Sequence, residues 1–159
     1  MSFRTAYLTP RETNIWSIRR DEKNKSEIGR HLGVSRQAIH ISLSLIDTKI
    51  KKAFTEACES NKLEPRSINV KEGIMKAYSP AYGLPVVLSL TRVNGLQVWY
   101  LYERNCANCV RNTACRTMLL NEVEERKIVL TGEELEMAPT HLARAMFGRL
   151  TEDKMNAST

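Results

Sequence analysis

The stretch Ser26-Glu27-Ile28-Gly29-Arg30-His31-Leu32-Gly33-Val34-Ser35-Arg36-Gln37-Ala38-Ile39 decides how the chain is read. Ile28, Leu32, Val34 and Ile39 fall on the inner faces of two short helices. Gly29 lets those helices touch, and Gly33 supplies the left-handed residue that ends the first of them. Ser35 then caps the next helix, so only Gly33 and Val34 lie between. Upstream, Asn24 and Glu27 have the spacing of a capping box, which makes the first of the pair about nine residues long. Another helix is expected over about residues 10–20: Thr9 is its N-cap, Pro10 its first residue, Glu12 completes a capping box, and Ile15, Trp16 and Ile18 form its apolar face.

No Gly or Pro intervenes between Ser35 and Pro65, so the helix begun at Ser35 is expected to run on. Leu43, Ile46, Ile50, Ala53 and Ala57 follow steps of three and four, a seam that suits packing on the chain's own body or a dimerisation helix. From Ser67 strand-formers and turn residues take over. Val86-Val87-Leu88-Ser89-Leu90 and Leu96 to Tyr102 flank Asn94-Gly95, a dipeptide that tolerates positive φ, and predict a hairpin. Ile68 to Met75 is read as a third strand, and Ser79 to Pro85 as a loop. Cys106 to about Lys127 reads as helix, and Pro139 opens a last helix through Leu150. The expected fold class is therefore α+β. A helical head with a connecting helix spans residues 1–62, an α+β body of hairpin or small antiparallel sheet with helices spans 67–150, and a frayed polar tail spans 151–159.

At 159 residues, with 42% hydrophobic and 26% charged, the chain is long enough for one ordinary domain or two small ones with real cores, and unlike a collagenous or disordered chain. No apolar run approaches the eighteen or so residues of a membrane helix, and no secretory leader is evident, so a cytoplasmic protein with reduced cysteines and no membrane partner is expected. The formal charge of +6 is unevenly placed. Residues 1–55 hold 11 Lys and Arg against five Asp and Glu, whereas the remainder is balanced at 13 each. The excess sits on the three-helix segment, which suggests a polyanion-binding head on a neutral body.

Two helices crossing over a turn this short form a helix-turn-helix, whose second helix enters the major groove of duplex DNA. Thr9-Pro10-Arg11-Glu12, Ser26-Glu27-Ile28-Gly29 and Gly33 to Ile39 resemble the helix-turn-helix of archaeal Tfx-type regulators and, more distantly, of LuxR-type regulators and sigma-factor region four. The resemblance covers about 50 residues and departs from the common pattern at Gly29 and Ser42. It implies sequence-specific DNA binding, with Ser35, Arg36, Gln37, His40, Ile41 and Ser44 as the position-matched readers. The side chains agree. Arg36 suits guanine O6 and N7 and Gln37 adenine N6 and N7, each bidentate pair contributing about 1 to 3 kcal/mol of discrimination. Arg19, Arg20, Lys23 and Lys25 surround the entry to the second helix and suit phosphates.

Cys106, Cys109 and Cys115 form C-x2-C-x5-C, and Cys58 lies at the far end of the long helix. Three clustered thiolates need a fourth ligand to close a zinc site or a four-iron cluster. Cys58 is the remaining cysteine, with His141 as an outside candidate. The layout weakly resembles that of WhiB-type iron-sulfur regulators. It implies a 4Fe-4S cluster or Zn2+ on Cys58, Cys106, Cys109 and Cys115; reactive thiols beside Arg104, Arg111 and Arg116 are the metal-free reading. No Gly-rich phosphate loop, H-E-x-x-H or G-x-S-x-G occurs, so no enzyme is expected. The acidic run from Glu122 to Glu136 reads as a solvated face, and the tyrosines near the hairpin as sheet core.

Together these features predict a DNA-binding transcriptional regulator, expected as a homodimer with RNA polymerase as a further partner, whose cysteine centre senses redox state or braces the fold. The alternatives are an iron-sulfur or thiol-redox nucleic-acid-processing enzyme that uses the head for docking, and a zinc-braced, sigma-like promoter-binding factor.

Overall fold

The capping pattern at Thr9 builds the helix it announces. In the computed structural model, which describes residues 8–21 and 23–152 (the side chains of 151 and 152 excepted), α1 spans Pro10–Arg20. Thr9 and Glu12 exchange both capping hydrogen bonds. Asn24 and Glu27 do the same for α2, Lys25–Leu32. Ser35 caps α3, Arg36–Asn61, whose 26 residues confirm that the chain runs on unbroken.

A left-handed Lys62 (φ 54°) ends α3, and Leu63 N–H closes the turn on the Cys58 carbonyl at 2.9 Å. With no glycine to announce that cap, the sequence hides how abruptly the sheet begins. β1 spans Glu64–Asn69, so residues 63–66 are not a linker between head and body. The sheet is a four-stranded antiparallel meander in the order β1–β2–β3–β4, with β2 at Ile74–Ser79, β3 at Leu84–Thr91 and β4 at Gly95–Tyr100. This bears out the α+β class and corrects its details. Ile68 to Met75 is not one strand but the end of β1, a turn and the start of β2. The expected loop at Ser79 to Pro85 is a tight β2–β3 connection, with Ser79 paired to Leu84. The Asn94-Gly95 hairpin is real, but Thr91 pairs with Gly95, which leaves a three-residue loop, Arg92 to Asn94, and puts the positive φ on Gly95, the first residue of β4. Gly73, Gly83 and Gly95 (φ 65–69°) close the three turns, each supplying the left-handed residue that brings the chain back.

Beyond the sheet, Cys106–Asn108 is a single 3-10 turn and α4 begins only at Asn112, running to Glu125. Thr131 and Glu134 form an unforeseen capping box that starts the short α5, Gly132–Leu135. The last helix, α6, spans Pro139–Glu152, two residues past its expected end; the rest of the expected frayed tail, 153–159, lies outside the described residues.

Alternation along the strands divides the interior in two. Met75, Ala77, Val86, Leu88 and Leu90 face the helical segment and share one core with Ile15, Trp16, Ile28, Ile39, Leu43, Ile46, Ile50, Phe54 and Cys58. Head and body are therefore continuous. The seam of α3 is buried within its own chain, each large apolar side chain contributing about 1.5–3 kcal/mol. On the other face Ile74 and Val87 pack with Leu119 of α4 and Leu142, Met146 and Phe147 of α6.

A buried ion pair joins these layers. Glu122 and Arg126 have fully buried side chains and meet at 2.8 Å. Glu122 also accepts from Ser89 Oγ at 2.5 Å, and Ser89 Oγ in turn accepts from Trp99 Nε1 at 2.9 Å. The two terminal nitrogens of Arg126 donate to the carbonyls of Glu72, Gly73 and Leu90. A charge so buried needs a partner, and here each of the two has one.

Candidate nucleic-acid interface

The α2–α3 junction is tight because of two glycines. Gly33 is left-handed (φ 69°, ψ 31°), and Val34 N–H bonds the Gly29 carbonyl at 2.9 Å. A Cβ on Gly29 would lie 2.6 Å from Val34 O, so any larger residue there would force the backbone to shift. Ser35 Oγ accepts from Ala38 N–H at 3.1 Å. The first turn of α3 is thereby held clear of the core, and Ser35, Arg36, Gln37, His40, Ile41 and Ser44 are all exposed.

They occupy two stripes. Arg36, His40 and Ser44, four residues apart, line a cleft of about 820 Å³ together with Arg19, Lys23 and Lys25. Gln37 and Ile41 lie on the adjacent stripe, where Ile41 is 61% and Leu45 55% exposed, a large apolar area for a helix surface. Among the described residues the cleft has one acid, Asp47, which is bound to Arg19 at 2.7 Å. Lys25 Nζ donates to His40 Nδ1 at 2.7 Å, which leaves Nε2 as the imidazole's donor. Among the described residues Lys23, Lys25 and Arg36 have no carboxylate partner. Beside the cleft, Glu12 binds Lys49 at 2.8 Å. Burial would raise the Glu12 carboxyl, but hydrogen bonds from Lys49 and Thr9 outweigh it and hold its pKa below the ordinary value.

The structure corrects one expected phosphate contact. Arg20 is 8% exposed, its guanidinium lies 4.1 Å over the Trp16 ring and 4.0 Å from Glu125, and it is closed off from any phosphate. Its nitrogens have no hydrogen-bond partner among the described residues, and burial, with Arg126 close by, lowers its pKa. In its place the cleft gains Lys71, from the turn between β1 and β2. Nothing local in the sequence marks Lys71; the fold brings it there.

The four cysteines separate. Cys58 is 2% exposed in the core shared by helices and sheet, its thiol 3.5 Å from Met75 Sδ, and burial raises its pKa. Cys106, Cys109 and Cys115 line a cavity of about 340 Å³ on the opposite sheet face, walled by Trp99, Met118, Leu119 and Ala143. Cys109 N–H bonds Cys106 O at 3.2 Å, and Asn112 Nδ2 caps the same carbonyl at 2.6 Å, so the C-x2-C segment forms one compact turn. The sheet therefore keeps Cys58 from its expected partners, and His141 is exposed. Among the described residues no three His, Cys, Asp or Glu side chains are grouped to hold a metal ion. A 4Fe-4S or Zn2+ centre on all four cysteines does not fit this arrangement. Arg104 and Arg111 line the cavity, with Arg104 stacked 4.5 Å over Tyr102. Arg116 turns away to the carbonyls of Met137 and Leu135.

No family model matches the chain, and neither the curated proteins nor the solved structures contain a match to it. Among the described residues no helix is long and apolar enough to cross a membrane.

Proposed function

We propose that the chain is a sequence-specific transcriptional regulator that binds double-stranded DNA through α3, with its thiol-lined cavity as a redox-responsive element. One observation carries the reading: Lys23, Lys25, Arg36 and Lys71, all without carboxylate partners among the described residues, gather around the exposed start of α3. Clustered like charges are unfavourable by themselves and are relieved by a polyanion. The exposed Arg36-Gln37 helix start adds base-reading chemistry to that attraction. A homodimer on a two-fold operator has to form through a surface other than the seam of α3, because that seam is spent within one chain.

Selection of bound sequences from a random duplex pool tests the proposal. The expected result is one enriched consensus, with Arg36→Ala and Gln37→Ala each relaxing the preference at one base position by about 1 to 3 kcal/mol. Absence of enrichment, or an Arg36→Ala protein that selects the same sequences as strongly, contradicts it.

A further inference from the structure

Loop tips are ordinarily the mobile part of a sheet, but the turn Val70–Gly73 is held from several sides. Trp16 Nε1 donates to Val70 O at 3.1 Å, and Glu72 N–H to Asn69 Oδ1 at 3.1 Å. Gly73 O accepts from Leu90 N–H at 2.8 Å, and the Arg126 guanidinium reaches the carbonyls of both Glu72 and Gly73. Gly73 has φ +66°, and a Cβ on it would lie 2.7 Å from the Trp16 ring and 2.8 Å from Leu90 O. Position and conformation are therefore fixed by α1, β3 and α4 together.

Glu72 is turned inward, 2% exposed. Lys71 is the residue of this turn that reaches the basic cleft; it is half-buried, and no ion pair to it exists among the described residues. A rigid backbone that carries an unpaired ammonium into a cleft already holding Lys23, Lys25 and Arg36 is electrostatically costly unless an anion of several charges lies against it.

We propose that Lys71 contacts a DNA backbone phosphate, so that the β1–β2 turn is a second DNA-binding element, supplied by the sheet and adjoining the helix that reads bases. This inference rests on the DNA-binding reading of the cleft. Arg126 is then a positioning residue. The buried chain from Trp99 through Ser89, Glu122 and Arg126 joins the wall of the cysteine cavity to this phosphate contact. Such a contact adds affinity without sequence preference, because phosphates carry no base identity.

The test is fluorescence anisotropy of the full chain on a mixed-sequence duplex, with affinity followed between about 50 and 200 mM salt. Lys71→Ala is expected to weaken binding to unrelated sequences alike and to reduce the slope of log affinity against log salt by about 0.9, the share of one phosphate. Lys71→Arg is expected to restore the slope, and thermal melting of both variants to match the parent, since Lys71 makes no ion pair among the described residues. A slope unchanged in Lys71→Ala, while Lys25→Ala and Arg36→Ala still weaken binding, overturns the assignment of Lys71 and leaves the DNA-binding reading intact. Salt-independent or absent binding by the parent protein overturns that reading itself.

Discussion

The two faces of the sheet carry the same thiol chemistry to opposite ends. On the face covered by α1, α2 and α3, Cys58 is one more apolar side chain in a core that runs from Trp16 to Leu88. On the face covered by α4 and α6, the packing leaves a cavity at the edge strand β4, and Cys106, Cys109 and Cys115 line it. Burial rather than residue type separates a filler from a reactive group. The arginines show a related difference. Arg126 has each of its three side-chain nitrogens bonded to a carboxylate or carbonyl, whereas Arg20 lies over an indole with the Glu125 carboxylate 4.0 Å away.

The ion pair on the α4 side is the place where this difference is largest in energy. Glu122→Gln keeps the shape and removes the charge, leaving Arg126 uncompensated in the interior. Urea denaturation is expected to show a loss of about 3–5 kcal/mol. Replacing Glu122 and Arg126 together with apolar residues of similar volume is expected to cost much less, because no lone charge then remains buried. A single substitution without measurable effect would show that water reaches the pair.

A smaller, kinetic effect separates the thiols. With a monofunctional maleimide on the native protein, Cys109 and Cys115 are expected to react first and Cys106, 8% exposed, more slowly. Cys58 is expected to react only on unfolding, since burial both blocks it and raises its pKa. Mass spectrometry of the labelled peptides checks the order. Modification of Cys58 at the rate of Cys109 would contradict the separation of the two faces.

Much of the helical half was legible. Thr9, Asn24 and Ser35 act locally, each accepting from the backbone N–H three residues on, so sequence spacing suffices to place α1, α2 and α3. Gly29 and Gly33 were readable for the same reason. The sheet was half legible. Gly73 and Gly83 stand just before β2 and β3 and, like Gly95 at the start of β4, have positive φ, yet without an asparagine ahead of them they were read as strand interior and loop. The burial of Arg20, the arrival of Lys71 and the isolation of Cys58 were not legible. Each depends on contacts more than fifteen residues away, such as Arg20 with Glu125 and Cys58 with Met75, that no local pattern encodes.

The duplex-binding face proposed for the chain is built from α2, α3 and the β1–β2 turn. Titrating a 15N-labelled sample of the full chain with duplex and following backbone amide shifts tests it most directly. Changes are expected at Lys23–Ser26, Ser35–Ser44 and Val70–Gly73, with Cys106–Cys115 little affected. Shifts centred on the cysteine cavity, or none at any duplex concentration, would contradict it.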